Sequence, residues 1–147
     1  MKKLPLLLAL VLTLTIMSCG QKNDNAKAHQ SEQTNTHKED IKLNDGKKWK
    51  VNEEMASHIE FSEELVKNYI KSGEKDYLNL ARELNESKKN LVSSCTMKGE
   101  AHDNLHTWLH PYIGLLQKLE ASKNENTAQE TVLEIEEAFK TYRRYFE

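Results

Sequence analysis

Between positions 95 and 110 the chain reads Cys-Thr-Met-Lys-Gly-Glu-Ala-His-Asp-Asn-Leu-His-Thr-Trp-Leu-His. That run holds a thiol (Cys95), a thioether (Met97) and three imidazoles (His102, His106 and His110). Thiolate, thioether and neutral imidazole are donors for soft and borderline cations. The set therefore points to copper first and zinc second, and away from calcium or magnesium, which take oxygen ligands. The same donors build blue-copper electron-transfer centres, but here they stand on helices, so that spectroscopic class does not follow. Each residue also has a plain structural use: Cys95 as a small buried hydrophobe, Met97 as a plug, the histidines as a polar rim. Whether they meet depends on the elements that carry them.

Four amphipathic segments follow from the spacing of the apolar residues. Asn52 before Glu53 and Glu54 marks an N-cap with acids in the first turn, and Gly73 after Lys71 marks the stop. Between them Met55, Ile59, Ser62, Val66 and Tyr69 recur at helical spacing, with Leu65 and Ile70 broadening the stripe and His58 on its flank. Asp76 caps a second helix whose stripe is Tyr77, Leu80, Leu84, Leu91 and Cys95, ending before Gly99. A third helix is predicted from near Glu100 to about Ala121, with Leu105, Leu109, Ile113 and Leu116 inward. His102 and His106 share much of that face and His110 drifts to its edge. Pro111 lacks an N–H and crowds the preceding turn, so a kink or a restart is expected, which would turn His110 into a loop residue. The fourth helix starts at the capping box Thr127-Ala128-Gln129-Glu130 and carries Val132, Ile135, Phe139, Tyr142 and Phe146 inward. Arg143 and Arg144 suit its C-terminal dipole.

Short connections between such segments imply an all-α, up-down-up-down four-helix bundle over residues 49–147. In that topology the start of helix one, the end of helix two, the start of helix three and the end of helix four share one end. That end collects His58, Cys95, Met97, His102 and His106, with His58 and His106 at matching depth and facing each other. His110 is the least secure member, and the aromatic end of helix four, from Tyr142 to Phe146, is placed to wall the site. A helix N-terminus disfavours protonated imidazole, which keeps His102 and His106 neutral and able to ligate. Trp49 and Trp108 read as packing residues.

Lys2 and Lys3, the apolar run over 6–17 and Ile16-Met17-Ser18-Cys19 form a targeting segment over 1–18. It is too short to span a bilayer as a helix. Its end resembles the lipobox of bacterial lipoproteins, which implies that Cys19 is diacylated and anchors the chain in a membrane. Gly20 follows where an inner-membrane retention Asp often stands, and Gln21-Lys22-Asn23-Asp24 resembles the signal that exports Bacteroidetes-type lipoproteins to the cell surface. The resemblance therefore implies a cell-envelope protein, on the periplasmic or surface face of the outer membrane. Residues 19–48 are polar and lack aromatics until Trp49, and so read as a tether with a reach of roughly 30 Å. His29 and His37 lie in it as solvated residues. With Cys19 committed to lipid, Cys95 has no intramolecular partner in an oxidising compartment.

The 21 basic and 23 acidic residues are evenly mixed, with net charge -2, so no basic face for nucleic acid is present. The run over 95–110 loosely resembles small envelope copper-handling proteins that use Cys, Met and His. The leading expectation is thus a non-enzymatic, lipid-anchored metal-binding bundle. Bundles resembling the b-type cytochromes suggest haem instead, with Met55, Met97, His102 or His106 as ligands, though Cys-x-x-Cys-His for covalent attachment is absent. A cofactor-free adaptor or inhibitor lipoprotein is the third reading. No oxyanion loop or positioned acid accompanies Cys95, so an enzyme is not indicated.

Overall fold

The computed structural model describes residues 40–147. The targeting segment, Cys19, His29 and His37 lie outside the described residues. Four helices follow in order: α1 (Glu53–Ser72), α2 (Tyr77–Ser93), α3 (Gly99–Glu120) and α4 (Glu125–Tyr145). They form the expected all-α four-helix bundle. Each helix packs on its sequence neighbour, α4 closes on α1, and α2 and α4 approach across the short diagonal. Along the wide diagonal, α1 and α3 make no close backbone approach.

The helix ends show where sequence signals were obeyed and where packing overrode them. Gly73 stops α1 in the left-handed region at φ 68°, and the Asp76 side chain accepts the Asn79 N–H at 3.0 Å to start α2. Asn52 stands at the N-cap of α1 without capping it. Its amide donates to the Ser94 carbonyl at 3.1 Å, so it ties the start of α1 to the end of α2. The fourth helix does not begin at the Thr127 box. Asn124 is its N-cap, accepting the Thr127 N–H at 3.0 Å. Asn caps as well as Thr, and starting one turn earlier lets Ala128 be buried on helical geometry.

Pro111 neither breaks nor restarts α3, which runs through it as one helix. The proline is exposed, and Thr107, whose carbonyl it leaves without a donor, is half-buried on the same side of the helix. Its neighbours Trp108, Leu109 and Tyr112 are all buried and hold both sides of the position in register. His110 is accordingly a helix residue.

Leu84, Leu105, Leu116, Ile135 and Phe139 are among the side chains that fill the core. Trp108 and Tyr112 stack with centroids 5.0 Å apart, and the Trp108 indole N–H donates to the Ala138 carbonyl at 2.7 Å, so both tryptophans' packing role holds. A polar layer interrupts this core. The Ser62 and Ser87 hydroxyls lie 2.8 Å apart and reach the His58 carbonyl at 2.9 and 3.0 Å. Tyr112 points its hydroxyl into the same region, where burial pushes its pKa far above the ordinary tyrosine value and Ser62 faces it. Ser62 lies near enough to hold that pKa down somewhat, but no hydrogen bond of good geometry reaches the hydroxyl among the described residues.

Among the described residues, the segment before residue 49 already packs on the bundle. Ile41 packs against the core, and Asn44 and Lys47 exchange backbone hydrogen bonds of 2.9 Å across a turn with Asp45 at φ 49° and Gly46 at φ 82°. Two positive φ values define a type I′ turn, for which Asp-Gly is a strong signal that the polar composition obscured. The Lys42 N–H donates to the Asn104 side chain on α3 at 2.9 Å. Trp49 then pairs in parallel with Phe146: its N–H donates to Tyr145 at 2.8 Å, Glu147 donates back to Trp49 at 2.9 Å, and Val51 donates to Glu147 at 2.8 Å. Arg143 adds a side-chain tie, donating from Nε and Nη2 to one Glu63 oxygen at 2.9 and 2.7 Å. Burial alone would raise the Glu63 carboxyl, but the hydrogen bonds from Lys67 and Arg143 outweigh it and hold the group below its ordinary value.

Candidate functional site

The first half of α3 positions a row of imidazoles. Residues four apart on a helix advance by about 40° around it, so His102, His106 and His110 form a slowly winding line beside the buried Leu105, Trp108 and Leu109. His102 and His106 are half-buried, and His110 is exposed. His102 Nε2 lies 3.0 Å from His106 Nε2, and His106 Nδ1 lies 3.1 Å from His110 Nε2. The rings meet edge to face, with centroids 4.4 and 4.9 Å apart.

These distances constrain the protons. Two imidazole nitrogens approach this closely only through a shared N–H···N hydrogen bond, and a neutral ring carries one N–H and one lone pair. His106 uses both nitrogens, so it donates to one neighbour and accepts from the other. Burial lowers the pKa of His106 and the charges of His102 and His110 lower it further, against an opposing pull from Asp103. The central ring is therefore held neutral, the state that can ligate a metal.

The row forms one wall of a groove of about 260 Å³ between α2 and α3. Val92 and Cys95 line the opposite side, with Leu105, Leu109 and Ile113 along α3 and the buried Met55 reaching in from α1. Cys95 is a half-buried free thiol just past the end of α2, where its N–H bonds to the Val92 carbonyl. The structure thus brings Cys95, His102 and His106 to one groove, as their placement in sequence suggested, and adds His110 and Met55.

Three expectations need correction. His58 does not face His106: it lines a different groove, between α1 and α2, with Phe61, Leu65, Glu83, Glu86 and Ser87. Matching depth could not bring the two together, because α1 and α3 lie across the wide diagonal and the flank of α1 that bears His58 turns toward the outer side of α2. Met97 packs half-buried against the core and does not line the groove of the histidine row. The aromatic end of α4 does not wall this groove either; Tyr142 and Phe146 stack on each other inside the core, centroids 5.2 Å apart. His110 joined the row because α3 continues through Pro111. The signal for it was the unbroken i, i+4, i+8 spacing. Met55 entered the sequence reading as the first residue of the inward stripe and as a candidate haem ligand, not as a neighbour of the histidine row.

Among the described residues, no group of three or more His, Cys, Asp or Glu side chains is arranged to hold a metal ion as it stands. The reason is visible in the row: a line of three rings offers two adjacent pairs and no common centre. Each pair could supply two nitrogen donors, and Cys95 lines the same groove. No helix among the described residues is long and apolar enough to cross a membrane. Comparison with models of known protein families, with curated proteins and with solved structures gave no match.

Proposed function

We propose that the protein is a lipid-anchored component of the cell envelope that binds a transition metal, copper in preference to zinc, in the groove between α2 and α3. The observation that carries this reading is the pair of short contacts through His106. A neutral imidazole flanked on both nitrogens by further imidazoles is a poor packing element but a ready source of paired nitrogen donors. An ion about 2.0–2.1 Å from both His102 Nε2 and His106 Nε2 would subtend roughly 95° at their 3.0 Å separation. That angle is closer to the square-planar preference of Cu(II) than to the tetrahedral preference of zinc. Cys95 is the third donor and Met55 a thioether behind it. The groove, at about 260 Å³, suits a bare ion better than a porphyrin, since pockets for larger organic ligands run from roughly 300 Å³ upward. The anchor is Cys19, and the polar residues after it supply the spacer.

The test is metal content. The purified full-length protein is analysed for bound metal beside Cys95→Ser and His106→Ala variants, with helicity checked by circular dichroism. One equivalent of copper, lost in both variants while the helices remain, supports the reading. A metal-free wild type after exposure to copper and zinc, with the fold intact, sinks it and leaves the cofactor-free adaptor.

A further inference from the structure

The histidine row contains two overlapping pairs of ring nitrogens, and nothing in the sequence pattern alone distinguishes them. One joins His102 Nε2 and His106 Nε2, 3.0 Å apart, and the other His106 Nδ1 and His110 Nε2, 3.1 Å apart. The first is flanked by half-buried rings, and the second includes the exposed His110. Both use the same central ring. Resting on the metal-binding reading above, we propose that the row is a two-position track, in which a soft or borderline cation is taken up at the exposed outer pair and passed to the inner pair, with His106 as the pivot.

The chemistry of the pivot enforces single occupancy. A neutral imidazole has one lone pair in the ring plane and one N–H. With the metal at the outer pair, His106 ligates through Nδ1 and its Nε2–H donates to His102 Nε2. With the metal at the inner pair, His106 ligates through Nε2 and its Nδ1–H donates to His110 Nε2. The hydrogen bond that remains orients the ligating ring in each case, as partners of metal-bound histidines generally do. His102 and His110 keep their protons on Nδ1 throughout. The transfer breaks the bonds from the metal to His106 Nδ1 and His110 Nε2 and forms bonds to His106 Nε2 and His102 Nε2. One proton leaves His106 Nε2 to water and one returns from water to His106 Nδ1, so charge and protons balance. Filling both positions at once would require His106 to lose its last N–H.

The direction follows from exposure. His110 meets solvent first, while the inner pair lies at the end of α3 fed by the 94–98 connection that carries Cys95. Cys95 lines the same groove and offers a thiol to a cation held there.

Zinc serves as the probe because it is diamagnetic. Full-length protein labelled with nitrogen-15 in its histidines is titrated with Zn(II), and the ring nitrogens are read by long-range proton–nitrogen spectra. Wild type is expected to bind one Zn(II) per chain, with His106 ligating through Nε2 and carrying its proton on Nδ1. In His102→Ala the zinc is expected on His106 Nδ1, with the proton shifted to Nε2. In His110→Ala the inner position is retained and stopped-flow association slows. Either substitution is at the groove rim, and circular dichroism verifies the helices. A His102→Ala variant that holds zinc through Nε2, or loses it altogether while wild type binds, overturns the track and leaves a simple single site. Two zinc ions per chain on a singly protonated His106, or wild-type association kinetics in His110→Ala, also overturn it. A wild type that binds no zinc and no copper fails at the earlier step, the metal-binding reading itself.

Discussion

Two of the grooves beside α2 contain histidine. The one toward α3 holds about 260 Å³ and is walled by Met55, Val92, Leu105, Leu109 and Ile113 beside the histidine row. The one toward α1 is larger, about 500 Å³, and sets His58 among Arg82, Glu83, Glu86 and Asn90. In the first, each imidazole has another imidazole one turn away and the surroundings are largely apolar. In the second, the positions one turn from His58 are Glu54 and Ser62, and the neighbours are charged. The difference teaches that burial of a histidine in a groove is not what makes a donor set. Repetition at the helical interval, with neighbouring ring nitrogens in direct contact along an apolar wall, is.

The contrast breaks most visibly at the groove floors. Leu105 is fully buried between the histidines of α3, whereas Phe61 beside His58 is 53% exposed. Leu105→Ala is expected to cost about 2–5 kcal/mol in urea unfolding, while Phe61→Ala changes stability by less than about 0.5 kcal/mol. Equal costs would mean that the two grooves share one packing regime. Next in size is metal affinity. His106→Ala should weaken copper binding on the order of 100-fold or more, beyond the ~10–100-fold typical of outer ligand partners, and His58→Ala should leave it unchanged. A matching loss in His58→Ala, measured by competition titration, would erase the distinction.

A smaller effect probes the polar layer between the grooves. Tyr112 buries an unpaired hydroxyl, so Tyr112→Phe removes an unsatisfied group without leaving a void. It should raise unfolding stability by about 1 kcal/mol. A loss of similar size would show instead that the hydroxyl is partnered in solution. The smallest effect is pH dependence. Because the folded pKa of His106 lies below the ordinary 6.5, the unfolded chain binds a proton there before the folded one does. Its contribution to stability is complete above about pH 6.5 and is lost as pH falls through the folded value. His106→Gln should flatten unfolding stability between about pH 7 and pH 5 relative to wild type, and an unchanged slope would contradict the lowered pKa.

Much of this architecture was legible in the sequence because amphipathic period and capping chemistry are local. Met55, Ile59, Ser62 and Val66 were read as one inward stripe and are buried, and Asp76 and Gly73 mark their helix ends. What a stripe cannot specify is which neighbour each flank meets. That depends on the handedness of the bundle and on which diagonal is short, and it decided the fate of His58. Pro111 was misjudged because its cost depends on whether the orphaned carbonyl faces solvent, which is a tertiary fact. Thr127 lost the cap to Asn124 for a related reason, since both sequences are competent and the burial of Ala128 chose between them. Trp49 was recognised as a packing residue, but its backbone pairing with Phe146 joins positions almost a hundred residues apart and leaves no local trace.

That pairing has a mechanical meaning. A pull on the chain from the N-terminal side of the bundle would reach Lys42 and then Trp49 and Val51, whose hydrogen bonds run to Tyr145 and Glu147 in parallel register. A pull along the strand loads those bonds together, in shear, and the buried indole of Trp49 must slide before any helix is peeled from the bundle. A second strand of the load path reaches α3 through Lys42 and Asn104, midway between His102 and His106. The bundle is thus gripped at the end that carries the histidine row.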